Sequence, residues 1–235
     1  MSANRTAVIT GSASGIGHAL VLRLLNDGWN VCGIDQQTRP DSLPSPYTHY
    51  CCDLTNAAEI EALAPQLPAC VHAVVHSAGV MRSGGTQDSQ PQDTSLLWRL
   101  HCEAPMTLVR ILAPRLADKL GRIVLVSSRA VLGRAQRAGY AASKAAQIGL
   151  ARSWASELIG RGITVNVVAP GAVDTPMLRD PARGLPPSVN LPLGRLIHPD
   201  EVASTIEFFL SHEAGAITGQ TLYVCGGASL GINTI

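Results

Sequence analysis

The segment Arg5-Thr-Ala-Val-Ile-Thr-Gly-Ser-Ala-Ser-Gly-Ile-Gly17 constrains the fold of this chain more than any other. It runs from a short β-branched strand through a glycine-rich turn into the apolar helical pattern of Ala19, Leu20, Leu22 and Leu24. In such a turn Gly11, Ser14 and Ile16 present backbone groups, Gly15 and Gly17 leave room for a pyrophosphate, and the helix N-terminus favours its charge. Strand-like runs then alternate with helical ones, at residues 7–10, 29–35, 71–77, 122–128, 164–169 and 221–224. That alternation predicts an α/β fold, a doubly wound parallel sheet with helices on both faces and right-handed crossovers. At 46% hydrophobic over 235 residues, the chain can bury one sizeable core, so residues 1–235 read as a single domain. The active site of such a sheet lies at the carboxyl ends of its strands. Residues 36–48 hold Pro40, Pro44 and Pro46 and predict an irregular second crossover.

Tyr140 and Lys144, in Gly139-Tyr-Ala-Ala-Ser-Lys-Ala-Ala146, stand four residues apart and so share one face of a predicted helix. A free phenol has a pKa of about 10 and exchanges protons poorly at neutral pH until a nearby cation stabilises its phenolate. Lys144 is that cation. A shift of roughly 3 units corresponds to about 4 kcal/mol of differential stabilisation, within reach of a desolvated neighbouring charge. The pair would act as an acid/base catalyst. Taken alone, the same spacing also describes two solvated side chains on an exposed helix, and the glycine-rich turn is what favours the chemical reading.

The Gly-x-x-x-Gly-x-Gly spacing together with Tyr-x-x-x-Lys resembles the short-chain dehydrogenase/reductase family, and further motifs follow in that family's order over nearly all of the chain. Asp53 and Leu54, in Cys-Asp-Leu-Thr55, match the segment whose acid meets the adenine ring. Ser77-Ala78-Gly79 sits where the family has Asn-Ala-Gly. Gly121-Arg-Ile-Val-Leu-Val-Ser-Ser128 matches the fifth strand with its catalytic serine, and Pro170-Gly171 with Val173 and Thr175 matches the segment that holds the nicotinamide carboxamide. The resemblance implies a Rossmann-type nucleotide-binding domain and an oxidoreductase of alcohols or ketones. In it Tyr140 exchanges the proton, Lys144 also holds the nicotinamide ribose, and Ser128 orients the substrate oxygen. Ser128 precedes Tyr140 by twelve residues, one fewer than is common in the family, which makes Ser127 the fallback.

Cofactor choice follows from charge. Asp35 ends the second predicted strand, where a carboxylate accepts hydrogen bonds from both adenosine ribose hydroxyls and repels a 2′-phosphate. Ser14 is not the basic residue that phosphate-binding relatives often carry. Both favour NAD over NADP. Capping of the following turn is the alternative role for Asp35, and Arg39 is a residue from which a phosphate could still be reached.

Two departures from the family pattern stand out. His101, in Leu100-His-Cys-Glu-Ala-Pro105, occupies the place of an asparagine that completes a proton relay through water. A histidine can donate and accept, so either a catalytic relay or the filling of helix space is open to it. His76-Ser77 replaces the familiar Asn-Asn. The loop before Tyr140 carries Arg129, Arg134 and Arg137, with Arg82 just past Gly79, and guanidinium groups pair bidentately with carboxylates. Within the family, the stretches 33–36, 78–84, 192–195 and 226–231 are similar to those of 2,3-dihydro-2,3-dihydroxybenzoate dehydrogenases, as is an arginine six residues before the catalytic tyrosine. This resemblance implies a cyclic dihydrodiol carboxylate as substrate, oxidised with NAD and met by Arg134 and Arg129. Residues 172–191, with Met177, Leu178, Pro181, Pro186 and Pro187, should form a flap over the substrate. A ketoacyl reductase, which would normally prefer NADPH, and a non-catalytic dinucleotide sensor are the alternatives on the same fold.

A net charge of +1 gives no reason to expect nucleic acid or a membrane as partner. The six cysteines include the adjacent pair Cys51-Cys52 and show no metal-ligand spacing, so free thiols, no metal and a cytoplasmic setting are expected. No export signal or membrane-spanning run is evident. The family implies a homo-oligomer, dimer or tetramer, through long helices expected at residues 94–120 and 138–160; the C-terminal segment 226–235, apolar and glycine-rich, could pack on a neighbouring subunit.

Overall fold

The computed structural model describes residues 5–41, 43–181 and 191–230. Its strands are β1 (Thr6–Thr10), β2 (Asn30–Asp35), β3 (Tyr47–Cys51), β4 (Ala73–His76), β5 (Arg122–Val126), β6 (Thr164–Pro170) and β7 (Thr221–Val224). All seven pair in parallel, in the order β3-β2-β1-β4-β5-β6-β7. The helices are α1 (Gly15–Asn26), α2 (Ala57–Leu63), α3 (Pro91–Trp98), α4 (Ala104–Leu112), α5 (Ala138–Leu158), α6 (Pro176–Arg179) and α7 (Pro199–Leu210).

Strand alternation sorts the core into two layers. On β5, Ile123 and Leu125 pack with Leu108 and Leu112 of α4 and Ala151 of α5. Val124 and Val126 face the other way, toward Leu20, Val21 and Leu24 of α1 and Val202, Ile206 and Phe209 of α7. Because helices cover both faces, every residue of β5 is buried, which is why residues 123–126, after the opening arginine, read as an unbroken apolar run. Each fully buried Leu or Ile contributes roughly 2–3 kcal/mol of transfer free energy.

Two expectations are revised, and two others fall partly outside the described residues. The irregular crossover ends at Pro46, and Tyr47–Cys51 forms a seventh strand, paired on one side only with β2. Its half-exposed burial and the prolines before it masked the pattern. The long helix expected at residues 94–120 starts earlier, at Pro91, is interrupted by a π-helical turn at Arg99–Glu103, and finishes as a 3₁₀ turn at Ala113–Arg115. The expected flap contains α6, while its Pro186 and Pro187 lie outside the described residues, as do residues 231–235 of the C-terminal segment.

β1 has β2 on one side and β4 on the other, so the strand order reverses there and opens a crevice at the carboxyl ends of β1 and β4. Gly11 and Ala78 meet across it: a Cβ on Gly11 would stand 2.7 Å from the Ala78 amide nitrogen.

Candidate active site

A cavity of about 600 Å³ occupies that crevice. Its floor is the β1–α1 turn, and its wall runs past Asp35 and the 52–55 segment to Ser77, Ala78 and Gly79, then to Ser128, Tyr140 and Lys144. Every residue named from the sequence for the cofactor lines it except Gly17. Gly17 serves the turn from behind, since a Cβ there would lie 2.1 Å from the Gly11 carbonyl oxygen and force α1 off the sheet. Gly11 and Gly15 hold φ of +68° and +55°, the left-handed region open to glycine. Ser14 caps α1 in extended conformation without a side-chain bond, which leaves the first-turn N–H groups without a side-chain acceptor at the cavity floor.

The Asp35 carboxylate is buried and accepts hydrogen bonds from the Ala13 and Gln37 amides, both at 2.9 Å. Each oxygen keeps a lone pair for a further donor. Arg39 is turned elsewhere, donating to the Leu43 carbonyl at 3.0 Å with its guanidinium 5.5 Å from the Tyr47 ring centre. The Asp53 carboxylate shapes its own turn by accepting from the Thr55 amide and hydroxyl at 2.8 Å. A glycine cradle, bare helix amides and a buried carboxylate fit a nicotinamide dinucleotide laid across the strand ends.

At the far end, β5 and α5 bring Ser128, Tyr140 and Lys144 to the same cavity. Ser127 and Ser128 separate here. The Ser127 hydroxyl is buried and donates to the Lys144 carbonyl at 2.8 Å, whereas the Ser128 oxygen accepts the Ala130 amide at 3.1 Å and retains its proton for another acceptor. Lys144 is buried, donates to the Val126 carbonyl at 2.8 Å, and lies 3.5 Å from the Gln147 carboxamide oxygen. Burial pulls its pKa down to about 7.

His101 sits in the π-helical turn, wholly buried and edge-on to the Tyr140 ring at 5.7 Å between centres, and it does not line the cavity. Its Nε2 accepts the Val80 amide at 3.2 Å, so the ring is the tautomer whose Nδ1–H donates to the Ser143 hydroxyl at 2.9 Å. Ser143 passes its own proton to the Tyr140 carbonyl at 3.0 Å. Burial and the Lys144 charge push the His101 pKa well below its ordinary value. His76 is likewise neutral, held down to about 3 by burial and Lys144, bridging the Thr10 hydroxyl at 2.9 Å and the Leu100 carbonyl at 3.0 Å.

Arg129, Arg134, Arg137 and Met177 all line the cavity at its outer end. Arg82 is neutralised by Asp93 and Asp180, each at 3.6 Å. Among the described residues no carboxylate pairs with Arg129, Arg134 or Arg137. The Arg129 Nε is buried with no hydrogen-bond partner, and Arg134 lowers the pKa of Arg137 after burial has done so first. Arg137 donates to the Ser83 hydroxyl.

Gln147 was not singled out from the sequence. One turn beyond Lys144 on the same helix face, a polar residue at a position that must be buried was the available signal.

A family model described as Enoyl-(Acyl carrier protein) reductase matches residues 11–229. A (2S)-((R)-hydroxy(phenyl)methyl)succinyl-CoA dehydrogenase subunit of Thauera aromatica is 34% identical over 97% of each chain. A 3-oxoacyl-(acyl-carrier-protein) reductase of Vibrio cholerae is 34% identical over 95% of this chain and 96% of its own, and the 2,3-dihydro-2,3-dihydroxybenzoate dehydrogenase of Escherichia coli is 32% identical over the same shares. The solved structure of a 4-hydroxyisoleucine dehydrogenase complexed with NADH superposes with a TM-score of 0.87 at 27% identity, covering 97% of this chain and all of that one. With the sheet order and the site geometry in agreement, the chain belongs to the short-chain dehydrogenase/reductase family of oxidoreductases acting on alcohols and ketones.

Proposed function

We propose that the protein is an NAD-dependent dehydrogenase of a secondary alcohol that carries an anionic group, with a cyclic dihydrodiol carboxylate as the preferred class. The observation that carries this reading is the conjunction, in one cavity, of a buried Asp35 at the adenosine end, Tyr140 and Lys144 at the chemical end, and three guanidinium groups without carboxylate partners at the mouth.

Gly11, Ser14, Gly15 and Ile16 would hold the pyrophosphate, Asp35 the ribose hydroxyls, Asp53 and Leu54 the adenine, and Ser77 to Gly79 the middle of the cofactor. Pro170, Gly171, Val173 and Thr175 line the nicotinamide end. When bound, NAD supplies a hydride acceptor at the nicotinamide ring. The protein's share is proton handling and orientation. Tyr140, as the phenolate, takes the hydroxyl proton from the substrate, the Ser128 hydroxyl donates a hydrogen bond to the substrate oxygen, and the Lys144 ammonium lowers the cost of the phenolate charge. Arg39, spent on Leu43 and Tyr47, offers nothing to a 2′-phosphate, which supports NAD over NADP.

Arg134, exposed at the mouth, and Arg129, with an unpaired Nε, are the proposed carboxylate contacts, and Met177 packs on the substrate ring. The 3-oxoacyl-(acyl-carrier-protein) reductase relative favours a second reading, reduction of an acyl ketone with NADPH. Steady-state assays with NAD and with NADP, on dihydrodiol carboxylates and on neutral alcohols, separate the two. NADH formation that requires the carboxylate supports the proposal; rapid turnover of neutral alcohols alone, or a preference for NADP, would overturn it. The free state of all six cysteines supports a reducing, cytoplasmic setting. No helix among the described residues is long and apolar enough to cross a membrane. The exposed Trp98 and Met106, on α3 and α4, support a homo-oligomer through that face, which a solution mass would test.

A further inference from the structure

Among the described residues Lys144 carries the only ammonium in the cavity wall, and no carboxylate is packed around it. β4 contributes His76, the π-helical turn contributes His101 and Cys102, and β5 contributes the Val126 carbonyl, while Tyr140 stands one turn earlier on α5. Its charge therefore rests on neutral dipoles. Gln147 supplies one of them. It has no solvent exposure, its Oε1 faces the Lys144 Nζ at 3.5 Å, and its Nε2 donates to the His101 carbonyl at 3.0 Å. The orientation of the amide is unambiguous on chemical grounds: an ammonium can only donate and a carbonyl can only accept, so oxygen must face Lys144 and nitrogen must face His101.

We propose that Gln147 is a positioning residue whose carboxamide, anchored on the His101 carbonyl, holds the Lys144 ammonium in its charged, catalytic placement. The inference rests on the proposed Tyr140–Lys144 chemistry. Lys144 has three protons; Val126 and Gln147 take two directions, and one is left for the cavity. The His101 ring cannot fill the same role, because Val80 and Ser143 occupy both of its nitrogens. The π-helical turn thus serves Lys144 through a backbone carbonyl, relayed by Gln147.

Tyr140 and Lys144 stand four residues apart on α5 and line the same cavity; on the proposed chemistry they titrate as a pair, and Gln147 favours the state in which the phenol, not the ammonium, has given up the proton. The test is an ultraviolet titration of phenolate absorbance, with Tyr140→Phe subtracted to isolate Tyr140 from the other three tyrosines. Gln147→Met removes the acceptor, and Gln147→Asn keeps a carboxamide too short to reach both partners, so the second carries the test should the first not fold. Thermal melting and NADH titration establish that each variant is folded. Formation of the Tyr140 phenolate should move up by about one pH unit in both variants. An unchanged midpoint in a folded variant would overturn the proposal and leave Gln147 as filling alone. Failure of the functional reading looks different: Tyr140→Phe itself would then keep forming NADH from an alcohol and NAD.

Discussion

Ser127 and Ser128 carry the same hydroxyl to the same stretch of chain, yet their hydrogen bonds divide the work. Ser127 ties β5 to α5 through the Lys144 carbonyl, whereas Ser128 keeps a proton to give. Ser128→Ala should lower turnover by about 10²-fold with the fold intact, while Ser127→Ala should cost about 1 kcal/mol of stability and spare most of the rate; kcat beside a denaturant melt checks both. Asp35→Ala should weaken NAD about tenfold or more and narrow the preference over NADP, read from KM for each cofactor. That Asp35, Tyr140 and Lys144 would share one site was legible because the glycine-rich turn stood beside them; alone, the Tyr-x-x-x-Lys spacing describes solvated side chains equally well. The roles of Arg39 and His101 were not legible. A sequence gives the reach of a side chain but not the competing partners, here Leu43 and Tyr47 for one, Val80 and Ser143 for the other, that use it up.

Among the elements, the β1–α1 turn is the most sharply specified. Gly17→Ala places a methyl against the Gly11 carbonyl, a contact of 2.1 Å that backbone must yield to. The expected cost is about 3 kcal/mol of stability with weakened dinucleotide binding, measured by thermal melting and NADH fluorescence. Strands buried on both faces announced themselves as apolar runs, and β1, β2, β4, β5 and β6 were found within a few residues of their bounds. β3 was missed because an edge strand of Tyr, Thr, His and Cys shows neither a continuous nor a clean alternating pattern. The π-helical turn escaped for another reason: one extra residue per turn leaves no mark on composition, only on which carbonyl meets Gln147.

The whole molecule stakes its stability on histidines kept neutral. His76 has its pKa lowered to about 3, and His101 is lowered in the same direction, while an unfolded chain takes up a proton on each below about 6.5. The unfolded state then binds more protons than the folded one, so stability falls as pH drops from about 6.5 toward 3, by up to about 1.4 kcal/mol per pH unit for each such group. Melting temperatures between about pH 7 and pH 4.5 should show this loss, and His76→Gln should shrink it even though the variant starts from a lower baseline. At this scale the parallel sheet and the place of the cavity followed from alternation and the glycine turn, whereas the strand order came only from the structure and the substrate does not follow from topology at all. What tests the account most directly is NADH formation from NAD and a cyclic dihydrodiol carboxylate by the parent protein and by Tyr140→Phe, side by side at neutral pH. Turnover in the parent and a loss of at least about 10²-fold in the variant are expected; a variant that matches the parent would contradict a proton transfer through Tyr140.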